Sequence, residues 1–356
     1  MDSKVSAIFF ALIMLLAFTI SFGACGDDDD DDNDTGSSDD DDDDDNDDND
    51  DDNDDDNDTD WGFPWTFSNG MIGACTGEIA YDFWEYEGDA AATLVFVNGR
   101  TEYTDKYHHI VESIERPWNI VMFDHYGQGR SEGTRAHADN FDTQQVCDMY
   151  EVINALADPD LPVVVIAHSM GGFITARFAE LYPEVASAYV LSSPMLGFNA
   201  EPFSPRVARL IAKLMVALGM GQLHAPGTQP GIDPPVSFEQ NILTHDRELY
   251  DLFAYDPITL IGQPTYGWGN AAYTALDKIY ANVDQIAQNI KLFISGDDRL
   301  VPVSGQYEFC DSLNALRLGA CSPSVFDGDF HELFNELDRE DVIDAALTFL
   351  DDELAN

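Results

Sequence analysis

Serine, histidine and aspartate are the residues in this chain that could break a covalent bond without a metal. Ser169 stands in Ala167-His168-Ser169-Met170-Gly171-Gly172, a G-x-S-x-G-like string with Ala in the first position. Small flanking residues let a serine occupy a sharp strand-to-helix turn with its hydroxyl exposed. A serine hydroxyl is a poor nucleophile at neutral pH and needs a base, itself oriented by a carboxylate. Of the eight histidines, only His331 lies beyond a long insertion that interrupts the second half of the chain, in Asp327-Gly328-Asp329-Phe330-His331. The acid is expected after the strand before it, where Gly296-Asp297-Asp298-Arg299 offers two adjacent carboxylates. We assign the acid to Asp298, with Asp297 as the alternative and otherwise a turn or capping residue. The chain order Ser, acid, His suits acyl transfer from a strand–turn–helix nucleophile. Such chemistry needs donors aimed at the developing oxyanion. The backbone N–H of Met170 follows the nucleophile, and that of Arg100 lies in Asn98-Gly99-Arg100-Thr101-Glu102. The Arg100 side chain could alternatively pair with Glu102 and shape that loop. No Cys/His cluster has metal-ligand spacing, so neither a metal nor another cofactor is expected.

These residues need a scaffold of alternating strands and helices. Ile79–Tyr86, Thr93–Val97, Asn119–Phe123, Pro162–Ala167, Ala188–Leu191, Ile290–Ser295 and the short Ser324–Phe326 read as strands. Most are continuously apolar, as strands buried on both faces of a parallel sheet must be. Helical patterns cover Thr104–Glu115, Thr143–Leu156, Gly171–Leu181, Gly305–Leu316 and Glu340–Leu354. The alternation predicts an α/β fold around a mostly parallel central sheet flanked by helices. Residues 193–288 break it with no clear sheet strand, and they read as a mainly helical cap inserted before the last strands. Within the cap, the amphipathic run Ser204–Leu218 is expected to pack as core or lid rather than to dock on a membrane.

Composition limits the partners. The chain has 356 residues, 68 Asp+Glu against 16 Lys+Arg, and a formal net charge of −52. No basic footprint exists to neutralise phosphates, which excludes a nucleic-acid binder. With 44% hydrophobic and 12% aromatic residues the chain is not disordered throughout. Residues 27–60 hold 24 aspartates and no base. Such a tract has nothing to bury and stays extended by self-repulsion. It could reach about 110 Å fully stretched at roughly 3.3 Å per residue. We read it as a tether; a calcium-binding tract is the alternative, without the Gly and distal Glu that shape a calcium loop.

Ahead of the tract, Val5–Phe22 is apolar, follows Lys4 and ends at Gly23-Ala24-Cys25. This resembles the export signal and lipobox of bacterial lipoproteins. The resemblance implies removal of residues 1–24, lipid attachment at Cys25 and a membrane anchor on the periplasmic face or cell surface. An uncleaved span or an ordinary cleaved leader would be the alternatives. The organisation is then leader 1–24, lipidated Cys and tether 25–60, and catalytic domain 61–356. Setting Cys25 aside leaves four cysteines, an even number that suits two bridges in an oxidising compartment. Cys310 and Cys321 flank one helix end and turn and form the natural pair, leaving Cys75–Cys147. Four free buried thiols are the other reading.

Five motifs give the chain from about Thr93 onward a family likeness: Asn98–Tyr107 (NGRTEYTDKY), Asp124–Gly133 (DHYGQGRSEG), His168–Gly172 (HSMGG), Ser295–Val301 (SGDDRLV) and Asp327–Glu336 (DGDFHELFNE). Together they resemble the bacterial lysophospholipase and monoacylglycerol lipase branch of the α/β-hydrolases. The cap segments Asn241–Asp246 (NILTHD) and Tyr255–Trp268 (YDPITLIGQPTYGW), with Phe309-Cys310, resemble the lysophospholipase type. The likeness implies a triad of Ser169, Asp298 and His331, oxyanion donors at Arg100 and Met170, and hydrolysis of single-chain acyl-lipid esters. An acyltransferase or small-ester carboxylesterase of the same fold is the runner-up, and a non-catalytic surface lipoprotein a third reading. Head group, acyl length and oligomeric state are not legible in the sequence.

Overall fold

The computed structural model describes residues 64–200, 202–225 and 236–356. The expected leader, Cys25 and the Asp-rich tract lie outside them. In chain order the elements are β1 (Trp65–Gly73), β2 (Glu78–Tyr86), β3 (Ala92–Val97), α1 (His108–Ser113), β4 (Trp118–Phe123), α2 (Gln145–Leu156), β5 (Val163–His168), α3 (Met170–Leu181) and β6 (Ala188–Ser192). There follow α4 (Pro205–Ala217), α5 (Arg247–Ala254), α6 (Tyr266–Ala281), β7 (Asn289–Ser295), α7 (Val303–Leu316), β8 (Cys321–Phe326) and α8 (Arg339–Leu354).

The eight strands form one sheet in the order β1-β2-β4-β3-β5-β6-β7-β8. Pairing is parallel from β4 to β8 and antiparallel at β1–β2 and β2–β4. The central strands are buried along their whole length because each face meets its own core. Val95, Val97, Val163 and Val165 pack on one side with α2, α3, α6 and α7. Leu94, Phe96, Val164 and Ile166, one residue out of step, pack on the other with α1 and α8. That two-sided burial is the reason their sequences show no polar alternation.

Two elements differ from the sequence expectation. Strand β1 was not anticipated: it is an edge strand, mostly exposed, whose sequence WTFSNGMIG carries little apolar run to announce it. The helix expected over Thr104–Glu115 is a 3-10 turn at Thr104–Tyr107 followed by the short α1.

Two disulfides fasten the periphery. Cys75, in the β1–β2 turn, is joined to Cys147 of α2 with a Cα–Cα distance of 5.9 Å. Cys310 of α7 is joined to Cys321 of β8 at 5.3 Å. The cap holds α4, α5 and α6, between β6 and β7. In α4 only Ala212 is buried, while Val207, Leu210, Leu214 and Val216 are exposed. The helix packs on α6 through one side and leaves much of its apolar stripe uncovered.

Candidate active site

Ser169 sits between β5 and α3 with φ 51° and ψ −115°. A positive φ is strained for a serine, and the surroundings hold it there. Its N–H donates to the Ser192 carbonyl (2.9 Å), and its carbonyl accepts from Met195 N–H (2.9 Å) and Phe173 N–H (3.1 Å). The glycines that follow have a steric reason. A Cβ on Gly171 would collide with the carbonyls of Val97 and Asn98, and one on Gly172 would meet Pro194 Cβ at 2.7 Å. The small residues of the motif thus let α3 start against the end of β3.

His331 and Asp298 arrive from the loops after β8 and β7. His331 Nε2 lies 2.8 Å from Ser169 Oγ, and His331 Nδ1 lies 2.8 Å from Asp298 Oδ2. A carboxylate only accepts, so Nδ1 donates to it and Nε2 is left to accept the serine proton. The Asp298 side chain is fully buried and His331 is 2% exposed. Burial alone would raise the Asp298 pKa. The hydrogen bond and charge of His331, with N–H donation from Val301 (2.8 Å) and Leu300 (2.9 Å), hold it below the usual carboxylate range. Asp297 points elsewhere, pairing at the surface with Arg299. The two loops are tied to each other: Asp297 N–H and Ser295 Oγ–H both donate to the Asp329 carbonyl, at 3.0 and 2.7 Å.

The loop carrying Arg100 is pinned from several sides. Glu102 accepts from Gly99 N–H, from Lys106 Nζ (3.0 Å) and from Tyr107 O–H (2.9 Å). Gln128 donates to the Gly99 carbonyl (3.0 Å) and accepts from Thr101 N–H (2.9 Å), while a ring nitrogen of His125 lies 2.9 Å from the Asn98 carbonyl. The DHYGQGRSEG segment therefore shapes the loop that carries Arg100, a role its residue types did not announce. Gly127 and Gly129 bend that segment at positive φ (75° and 50°). Among the described residues neither the Arg100 N–H nor the Met170 N–H has a protein acceptor.

Behind His331 lies a polar cluster that was not foreseen as a unit. The Lys106 ammonium bridges Glu102 and Glu332 (2.6 Å to the latter). Burial alone would lower its pKa, but the two carboxylates hold it above its ordinary value. The ring of His168 packs 4.9 Å from that of His331, and burial, with His331 beside it, keeps its pKa well below the usual histidine value. A neutral His168 spares His331 a second positive charge.

The cap is fastened to these loops. Glu332 N–H donates to the Leu243 carbonyl (2.8 Å), Thr244 Oγ–H to the Asn335 carbonyl (2.6 Å), and Arg339 pairs with Asp246 (2.8 Å). Asp246 also caps α5, accepting from the N–H groups of Glu248 and Leu249. The NILTHD segment is thus the clasp between cap and His331 loop. Tyr103 O–H donates to Asp256 (2.6 Å), joining the cap to the loop that carries Arg100. Between cap and body lies a cavity of about 280 Å³. Arg100 and Glu332 line it together with Leu249, Phe253, Leu260 and Ile261.

This arrangement can be compared with known proteins. Residues 88–338 match the family described as serine aminopeptidase, S33. A monoacylglycerol lipase of Mycolicibacterium smegmatis is 28% identical over 278 residues, covering 76% of this chain and 92% of its own. Lysophospholipase L2 of Escherichia coli is 26% identical over 258 residues, covering 69% and 75%. Among solved structures, the monoacylglycerol lipase of Paleococcus ferrophilus superposes with a TM-score of 0.61 at 19% identity, covering 81% of this chain and 99% of its own. That likeness identifies the architecture as the α/β-hydrolase fold.

Proposed function

Because the chain belongs to the S33 serine aminopeptidase family of α/β-hydrolases, we propose that it hydrolyses carboxylic esters of single-chain acyl lipids, lysophospholipid or monoacylglycerol, through an acyl-enzyme. One observation carries the reading: the hydrogen-bonded line Ser169–His331–Asp298, at 2.8 Å per step, with the cap fastened to the loop of His331. Two named relatives, a monoacylglycerol lipase and a lysophospholipase, support the substrate class. The apolar residues lining the neighbouring cavity support it too, since an acyl chain needs a dry, apolar slot.

In this mechanism His331 Nε2 takes the Ser169 proton as Oγ attacks the ester carbonyl carbon. Negative charge moves onto the carbonyl oxygen, where the N–H groups of Arg100 and Met170 stabilise it. The intermediate collapses, the C–O bond to the glycerol oxygen breaks, and the imidazolium gives that oxygen the proton. Water, deprotonated by His331, then attacks the acyl carbon. The second tetrahedral species expels Ser169 Oγ, which regains its proton, and fatty acid leaves. Asp298 keeps its charge throughout and stabilises the imidazolium.

A panel of lysophosphatidylcholine, monoacylglycerol, diacyl phospholipid, a short p-nitrophenyl ester and an aminoacyl p-nitroanilide tests the reading. Single-chain lipid esters should give the highest kcat/KM, and Ser169→Ala should lower kcat by roughly 10⁴-fold or more. Faster cleavage of the anilide would return the chain to its family's peptidase description, and activity surviving in the alanine variant would remove Ser169 from the mechanism. Residues 1–60 complete the proposal: Cys25 carries lipid, and the aspartate tract tethers the enzyme to an exported membrane face.

A further inference from the structure

The side chain of Arg100 has no carboxylate partner among the described residues. Glu102, the partner its spacing suggested, is occupied by Gly99 N–H, Lys106 and Tyr107. The guanidinium instead donates one N–H to the Gly262 carbonyl and lies 5.7 Å from the centroid of the Trp268 ring. Its Nε is sealed from solvent and has no acceptor. Burial pushes its pKa down to about 10, which leaves it charged at neutral pH. A half-buried cation with no carboxylate beside it is costly, and such groups are retained where a ligand completes them.

Position says what that ligand would be. Arg100 lines the cavity under the cap beside Glu332, the residue after His331. The other cation in the lining, Lys106, is already held between Glu102 and Glu332. Arg100 is therefore the one unmatched positive charge among the described lining residues. Its own backbone N–H is a proposed oxyanion donor, so a substrate carbonyl and the guanidinium are separated by the length of one arginine side chain. In a lysophospholipid the glycerol carbons separate ester carbonyl and phosphate by a comparable span. A planar guanidinium with free N–H groups suits a phosphate diester, whose oxygens accept in pairs. Residues 61–356 carry 43 acids and 15 bases, which disfavours the approach of net-anionic lipids. A zwitterionic headgroup meets both conditions.

We propose that Arg100 is the specificity-determining residue for the phosphate of a zwitterionic single-chain phospholipid, making lysophospholipid rather than monoacylglycerol the preferred substrate. This deepens the reading above and rests on it for the meaning of the bound lipid, but its test needs no turnover. Dodecylphosphocholine and the neutral 1-O-dodecylglycerol, neither of which has a carboxylic ester to cleave, are titrated calorimetrically below their micellar concentrations. Wild-type protein should bind the phosphocholine at least about tenfold more tightly, the worth of one charge-assisted contact. Arg100→Gln should remove that preference, and Arg100→Lys should keep part of it. Equal wild-type affinities, or a preference surviving in Arg100→Gln, would overturn the proposal. Inorganic phosphate bound as tightly as dodecylphosphocholine would also overturn it, since the site would then read a free anion. If the glutamine variant does not fold, the wild-type comparison and the lysine variant decide. Loss of Ser169-dependent hydrolysis would refute the catalytic reading and leave these affinities standing.

Discussion

At the scale of single residues, the two adjacent aspartates separate by what surrounds each of them. Asp298 is buried, accepts from His331 and two backbone N–H groups, and keeps its charge for that reason. Asp297 is 43% exposed and pairs only with surface Arg299. Exposed pairs of that kind contribute little. Asp298→Asn should therefore lower kcat by roughly 10³–10⁴-fold, by allowing the wrong imidazole tautomer while preserving shape. Asp297→Asn should stay within about twofold, as expected of a weak surface pair. Comparable losses in the two variants would mean that the assignment of the acid is wrong. The sign of the Asp298 shift adds a condition: its folded pKa is depressed, so its contribution to stability is present above the unfolded value and lost as pH falls through the folded one. Asp298 stays charged across the neutral range, so activity lost on mild acidification has to come from another group.

At the scale of elements, the joint between the β1–β2 turn and α2 combines a disulfide with a buried acid. Asp148, next to Cys147, accepts from Thr76 N–H (3.0 Å) and Thr76 Oγ–H (2.7 Å). Burial outweighs those bonds and raises its pKa to about 6. A raised carboxyl pKa means the folded state holds the proton longer than the unfolded chain does. Stability contributed here is complete below the unfolded value, near 3.9, and declines as pH rises to about 6. Asn at this position keeps an acceptor for Thr76 N–H and loses the charge. The stability of Asp148→Asn relative to wild type should thus improve by about 2 kcal/mol between pH 4.5 and pH 8. Denaturant titrations at the two pH values would measure it, and a constant difference would refute the linkage. Element-level reading also shows which patterns carried information. The two-sided central strands were legible because burial on both faces imposes uninterrupted apolarity. Edge strand β1 was not, because its exposed faces accept polar residues. Helix α4 reads as core or lid packing from its periodicity and packs on α6 within the cap, but periodicity reports that one face is apolar and not what covers it.

At the scale of the whole molecule, the charge divides between a tract and a folded body, and only the body bears on the chemistry. The 24 aspartates of residues 27–60 are consistent with a tether, and the proposal that Cys25 anchors it has a direct measurement. Intact-mass analysis of protein purified from membranes should show loss of residues 1–24 and the added mass of acyl groups on Cys25. Retention of the leader or an unmodified Cys25 would reject the anchor. The sequence by itself determined the class of fold, the order Ser169, Asp298, His331 along the chain and the loops that carry them. It could do so because strand burial, tight turns and nucleophile chemistry each restrict residue type at short range. The tertiary structure alone decided which neighbour each polar side chain would meet. It drew Glu102 toward Lys106 and away from Arg100, set Gln128 against the loop that carries Arg100, and clasped NILTHD to the loop of His331. Apart from the i,i+4 pair Glu102–Lys106, those contacts join residues far apart in the chain, as does the bond from Lys106 to Glu332, and long-range packing sets their partners, on which local spacing imposes no pattern.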